Sequence, residues 1–352
     1  MLQKIAFISE HFELGSPAQQ LLDRFLIGFS REGVFQASNA TVIAWDSGRS
    51  SDFLARRVSD FNLQLARSIP ETVAKADAVI VVQTEFAGRT REMTLQPPGG
   101  SAVIANPDEK SFIADLVSAG REGTPIFVYG LLAPNRSTSE GIAGLAKKRG
   151  IPLCAGTVGS VLLQLPPLNI PKRSRISNAL ILAPSSAPDV MVIDALLAVL
   201  EEAGADFAQT CSVGAIVPAQ LWNAPEMWPS RLLGPALSRS DRILGNTLLD
   251  GRTEDITSSA PELAKNLREL EIGSAQGWRA SALFSEGALG DIVLAIETND
   301  RKIHSTQLFQ APPPQQEHFS RLADTISAFF RTKEQPWSDR KTILTSFALQ
   351  PQ

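Results

Sequence analysis

The sequence predicts an α/β protein in two parts. A doubly wound parallel sheet comes first, and an α+β domain with a largely antiparallel, open sheet follows. Three observations carry this. Short apolar runs alternate with amphipathic helical stretches through the first part, as βαβ units do. The runs "ADAVIVVQ" and "TPIFVYG" are continuously apolar, as strands covered on both faces are. From roughly residue 275 onward, strand-like runs follow one another across short polar turns. The expected domains are 1–156 and 157–352, with the last helix free to pack back on the first domain.

Taken in order, "KIAFIS" opens the chain as a buried strand. "GSPAQQLLDRFLIGF" sets Ala18, Leu21, Leu22, Phe25, Leu26 and Phe29 at helical spacing, with Ser16 as N-cap and Pro17 at the first helical position. "ATVIAW" is the second strand and ends at Asp46. "ADAVIVVQ" and "TPIFVYG" are the next two. In "NRSTSEGIAGLAKKRG", Ser137 and Glu140 form an S-x-x-E capping box, Ile142 and Leu145 make a buried face, and Gly150 marks the stop. "IPLCAG" is a further strand. "LPPLNIPKRSR" suits a crossing between domains. A strand "NALILA" and a helix "DVMVIDALLAVLEEAG" follow. "WRASALFS", "GDIVLAIETN" and "RKIHSTQLFQ" are strands, "HFSRLADTISAFFRT" is an amphipathic helix, and "PWSDRKTILTSFAL" is a final helix or docking tail.

Composition narrows the function classes. Of 352 residues, 43% are apolar and 20% charged, enough for a large buried core. The net charge of −4 is spread over both signs, which excludes the basic stripe that nucleic acid requires. Cys154 and Cys211 form no CxxC pair, and reduced thiols in a cytoplasmic protein are expected. No signal-peptide pattern opens the chain. "IPLCAGTVGSVLLQLPPL" is broken by proline and glycine and falls short of a membrane span. His11, His304 and His318 are the only histidines; their spacing has no metal signature, so no metal is expected. There is no G-x-S-x-G and no P-loop.

Several stretches together resemble the Gfo/Idh/MocA oxidoreductases. "ADAVIVVQT" looks like the fourth strand of the family's Rossmann domain. "PIFVYGLLAPNRSTSEGIAGLAKKRGIPLCAGT" aligns without a gap on the stretch around the family's Glu-Lys-Pro motif. "AGTVGSVLLQLPPLNIP", "ALSRSD", "LLDGRTEDI" and "STQLFQAPPP" resemble a divergent branch. The resemblance implies a Rossmann-like domain, NAD or NADP, a sugar-like or other small polar substrate, and a dimer or higher homo-oligomer. The departures are equally plain. The Glu-Lys-Pro positions hold Tyr129, Gly130 and Leu131, and glycine moves no proton. The family's Asp-x-x-x-His element has no histidine here; Asp194 stands in that region.

The candidate catalytic residues are therefore Tyr129, Asp194 and His11. A tyrosine acts as an acid where a cation lowers its pKa; otherwise it fills space left by the lysine. His11 is a proton carrier at the cleft mouth or an exposed loop histidine. The candidate cofactor-binding residues are Ser9, Gly15, Ser16, Asp46, Arg49, Gln83 and Thr84. The first turn, "SEHFELGSP", keeps only Gly15 of the three fingerprint glycines. Its helix N-terminus attracts a phosphate, whereas Glu10 and Glu13 repel one. Asp46 suits a ribose hydroxyl, though it lies 31 residues past Gly15 because "REGVFQASN" intervenes; a turn carboxylate is the other reading. Arg49 fits a 2′-phosphate or open solvent. Arg231, Arg239 and Arg242 fit an anionic substrate or surface salt bridges.

Three functions remain open. One is an NAD(P)-dependent oxidoreductase with a relocated proton-transfer group. The second is a non-redox lyase or isomerase in the same cleft. The third is a catalytically silent partner of an active homologue in a hetero-oligomer.

Overall fold

The computed structural model describes residues 3–10, 12–31, 33–45, 52–83, 112–171, 174–207, 210–214, 228–240, 268–274, 277–285 and 289–349. They fall into two compact units. The described residues up to Thr157 join Gln316–Ser346 in the first, and Val158–Gln315 with Phe347–Leu349 make the second.

The first unit runs β1 (Gln3–Ser9), α1 (Pro17–Leu26), the hairpin β2 (Gly28–Arg31) and β3 (Val34–Ala37), β4 (Ala40–Trp45), α2 (Asp52–Phe61), β5 (Gln64–Leu65), α3 (Ile69–Ala74), β6 (Ala78–Val82), α4 (Phe112–Ala119), β7 (Ile126–Tyr129), α5 (Arg136–Lys148) and β8 (Leu153–Gly156). Six strands stand in the order β5-β4-β1-β6-β7-β8, every pair parallel. This is the expected Rossmann-like sheet. Side chains alternate across it. Ile8, Val79, Val81 and Val128 face one way, into a core shared with Val73, Leu116 and Ile142 of α3, α4 and α5.

Two local expectations are corrected. The first helix stops at Leu26 rather than reaching Phe29, because Phe29 pairs with Gln36 in the hairpin. Its Val34 and Phe35 are β-branched and aromatic, types that strands favour, and both are exposed. The cap of α5 is Asn135, not Ser137: its side chain accepts the Thr138 N–H at 2.8 Å. Glu140 instead takes Arg136 one turn away, at 2.7 Å.

The second unit holds β9 (Leu163–Leu165), β10 (Ile176–Pro184), α6 (Asp189–Glu202), β11 (Thr210–Gly214), α7 (Leu233–Leu237), β12 (Arg268–Ser274), β13 (Arg279–Ser285), β14 (Ile292–Thr298) and β15 (Ile303–Phe309). The strand order is β11-β12-β13-β10-β14-β15-β9. Only β10 and β13 run parallel. β11 and β12 have no counterpart in the sequence reading. Leu180 and Leu182 lie opposite Ala295 and Val293, and this face packs with Trp228, Leu232, Leu233 and Leu237. Polar contacts fix the covering segment. Arg231 pairs with the buried Glu297, which also accepts from Asn178 at 2.8 Å; Arg239 donates to Ser305 at 3.0 Å. Two of the three arginines considered for an anionic substrate thus hold this segment to its sheet. Arg242 lies outside the described residues.

The two C-terminal helices, α8 (Glu317–Thr332) and α9 (Asp339–Ala348), explain why the first unit includes the end of the chain. Helices α3 to α5 all pack on one face of the sheet, α3 over β1 and β4. On the other face, Phe127 meets Trp337, Tyr129 meets Phe319, and Phe25 of α1 meets Phe330. Thr342 of α9 donates to the Ala155 carbonyl. The returning chain covers a sheet face that would otherwise be bare. No helix among the described residues is long and apolar enough to cross a membrane.

Candidate functional site

Ligands of doubly wound sheets bind beyond the strand C-termini, where the strand order reverses. Here that point lies between β1 and β6, since β4 and β5 extend to one side and β7 and β8 to the other. Ser9 ends β1 beside Val82 and is fully buried. Gln83 follows, and its N–H donates to the Tyr129 carbonyl at 3.3 Å. Its side-chain Oε1 is buried and has no hydrogen-bond partner. A buried acceptor left without a donor costs about 1–3 kcal/mol.

The first turn differs. Gly15 has φ +85°, a conformation L side chains rarely adopt, so this glycine is required by the turn. Phe12, buried against Phe7 with ring centroids 5.8 Å apart, pins the loop. Three donors of the turn are already engaged. The Gly15 N–H donates to Gln19 Oε1 at 2.9 Å, the Ser16 N–H to the Glu13 carbonyl at 3.0 Å, and the Gln19 N–H to Ser16 Oγ at 3.2 Å. Pro17 has no N–H to offer. Gln19 is held in turn: its amide nitrogen donates to Asp23 at 2.7 Å, and Arg57 of α2 grips Asp23 with two nitrogens at 2.6 and 2.8 Å. The Asp23 hydrogen bond raises the Arg57 pKa above its usual value. Sequence reading missed this relay. Ser16-x-x-Gln19, a capping-box spacing, and the placement of Gln19 and Asp23 on one helix face are its local signals, and nothing in the chain marks Arg57 as the third member.

At the end of β7, Tyr129 is buried and stacks on Phe319, ring centroids 6.3 Å apart and tilted by 25°. Its ring is a packing surface between β7 and α8. Gly130 has φ +123°, and its N–H donates to the Gly156 carbonyl at 3.0 Å. A lysine at this position would be strained. Beside Phe319 lie Arg24 and His318. Arg24 stands 5.6 Å over the Phe319 ring and donates to Ser320 Oγ and the Gln316 carbonyl, both at 3.0 Å. Burial pushes its pKa down to about 10, against the opposing pull of Asp23. Burial, helped by the charge of Arg24, pushes His318 down to about 4, and its buried Nδ1 has no hydrogen-bond partner. His318 is therefore neutral at physiological pH.

Asp194 belongs to the second unit. It sits on α6 with no exposed surface and accepts the Ser160 hydroxyl at 2.7 Å. That arrangement ties α6 to the turn Val158–Val161. His304 pairs with Ile296, which puts it on the sheet face away from the Trp228 segment. His11, Asp46, Arg49 and Thr84 lie outside the described residues. Cys154 is a buried thiol. No group of three metal-ligating side chains occurs among the described residues.

The fold thus defines a Rossmann-like unit joined to a mixed-sheet unit. No family model and no curated protein matches the chain. Solved structures match it over nearly its whole length. The myo-inositol 2-dehydrogenase of Lactobacillus plantarum is 9% identical with a TM-score of 0.54, over 98% of this chain and 94% of its own. GenD2 of gentamicin A biosynthesis, solved with NAD, is 10% identical with a TM-score of 0.55, over 99% and 93%. The biliverdin reductase of Synechocystis sp. PCC 6803, solved with biliverdin and NADP+, is 11% identical with a TM-score of 0.51, over 97% and 95%. The chain shares the fold of these solved structures.

Proposed function

We propose that this protein is a divergent Gfo/Idh/MocA oxidoreductase that binds NAD or NADP and acts on a sugar-like or other small polar substrate. The observation that carries this reading is the unsatisfied amide of Gln83 at the switch point. A buried polar atom left without a partner at the fold's ligand position is explained if a ligand completes it. Ser9, Gly15, Ser16 and Gln83, with Asp46, Arg49 and Thr84, are the residues this reading assigns to the dinucleotide. When bound, the dinucleotide supplies or accepts hydride at its nicotinamide ring. The chain's own part is to orient it along the ends of β1 and β6 and to handle the accompanying proton. Tyr129 is the group this reading assigns to the proton, in place of the family's lysine; His11 is the second candidate. Asp194 would serve only if α6 and the Val158–Val161 turn separated.

Fluorescence titration with NADH and NADPH tests the reading, followed by turnover on polyols, sugars and hydroxy acids. Binding with turnover supports it, and Tyr129→Phe should then lower kcat by at least about 100-fold with little change in NADH affinity. No binding at millimolar cofactor overturns it.

A second reading is favoured by Gly130 and by the internally satisfied first turn: the cleft is kept for non-redox chemistry, or the chain is the silent partner of an active homologue. Cofactor binding without turnover on any of these substrates would favour it. Self-association is part of the first reading. It would need a surface other than the sheet face already covered by Trp228–Leu237. The cytoplasm is the location both readings assign.

A further inference from the structure

We infer that Arg24 is a positioning residue for Tyr129: it fixes the start of α8, so that the Phe319 ring holds the tyrosine ring in one place. This rests on the reading above that assigns the proton to Tyr129. The contacts run through three elements of the first unit. Tyr129 at the end of β7 stacks on Phe319 of α8, and the Arg24 guanidinium of α1 stands over that same ring. Its nitrogens reach both helices. Nε donates to Ser320 Oγ and Nη2 to the Gln316 carbonyl, each at 3.0 Å, while Nη1 donates to the Gln20 carbonyl and to Gln20 Oε1 at 2.8 Å. Gln316 has φ +38°, in the left-handed region, and its side chain makes no cap bond to α8. The helix thus starts from an unfavourable backbone conformation, and Arg24 holds it there from α1. Packing alone does not explain a guanidinium at this place. Burial is costly for its charge, and an apolar side chain of similar length would fill the space without that cost. What an apolar side chain lacks is the planar fork that ties α1 to two points on α8, one on each side of Phe319. His318 packs on the same ring, with centroids 4.9 Å apart.

Tyr129 is the only tyrosine of the chain, so protein carrying ring-labelled tyrosine reports on it alone. Its ring-flip rate is read by NMR, and kcat and NADH affinity are measured beside it. Wild type is compared with Arg24→Met, which keeps an apolar stem, and with Arg24→Lys, which keeps the charge without the fork. Both variants should speed the ring flip and lower kcat about tenfold at unchanged NADH affinity. In a Tyr129→Phe background, Arg24→Met should lower kcat no further, a result that a merely structural role would not give. A ring flip as slow as wild type in both variants, or the same tenfold loss of kcat in the Tyr129→Phe background, would overturn the role of Arg24 while leaving the reading of Tyr129 intact. A faster ring flip in the variants with no turnover by wild type would overturn the proton role of Tyr129 and leave its positioning by Arg24 standing.

Discussion

The first turn and the switch point lie on one edge of one sheet, a strand apart, and were solved in opposite ways. At the turn every accounted donor is satisfied from within: Gly15 by Gln19, Ser16 by Glu13, and Gln19 by Ser16. At the switch point Gln83 is half-buried, and its buried Oε1 has no partner. A satisfied turn behaves as structure. An unsatisfied buried amide lowers stability unless something else completes it. The difference teaches that the fold's two halves of a dinucleotide place need not degenerate together.

The comparison can be broken first through its surroundings. His318, against the Phe319 ring that stacks on Tyr129, is strongly perturbed. Its folded pKa of about 4 lies below the unfolded value near 6.5, so the fold prefers the neutral ring. The stability it contributes is complete above about pH 6.5 and falls as pH drops, with the loss complete below about pH 4. The total is at most about 3 kcal/mol. Urea unfolding at pH 7 and pH 4 should show it, and His318→Leu should flatten the dependence. An equal slope in that variant would place the effect elsewhere.

Arg57→Ala comes next. The Asp23–Arg57 pair is mostly buried, with side chains 14% and 19% exposed. Removing the guanidinium strands the carboxylate and should cost about 2 kcal/mol, somewhat less than a fully buried pair. It should also loosen Gln19, so the Gly15 amide should exchange faster at unchanged Gln83 behaviour. If Gly15 exchange does not move, the relay does not brace the turn.

How much of this was legible in the sequence follows from the range of each interaction. The helix α1 could be read because Ser16, Pro17 and its apolar stripe are local signals, and the parallel strands because continuous apolar runs are local too. The sequence leaves the last helix free to pack back on the first domain, but the return of α8 was not legible: an amphipathic stripe shows that a helix is covered, not by what. The hairpin at Gly28–Ala37 was hidden by Phe29, which fits a helical spacing and a strand equally well. At the site, the missing glycines and the missing lysine were plain. The closure of the turn was not, because it depends on Arg57, 34 positions from its partner Asp23. The orphaned atom of Gln83 emerges only when the whole edge is packed.

Gln83→Leu has the smallest expected effect on stability, about 1 kcal/mol, and is the most direct measurement of the central claim. Leucine fills a similar volume without the unmatched polar atom. Urea unfolding without cofactor and NADH titration should be run side by side on wild type and variant. The account predicts that the variant is more stable and binds NADH at least about tenfold more weakly. A variant that is less stable and binds NADH as wild type does would contradict it, since Gln83 would then hold the fold together rather than await a ligand.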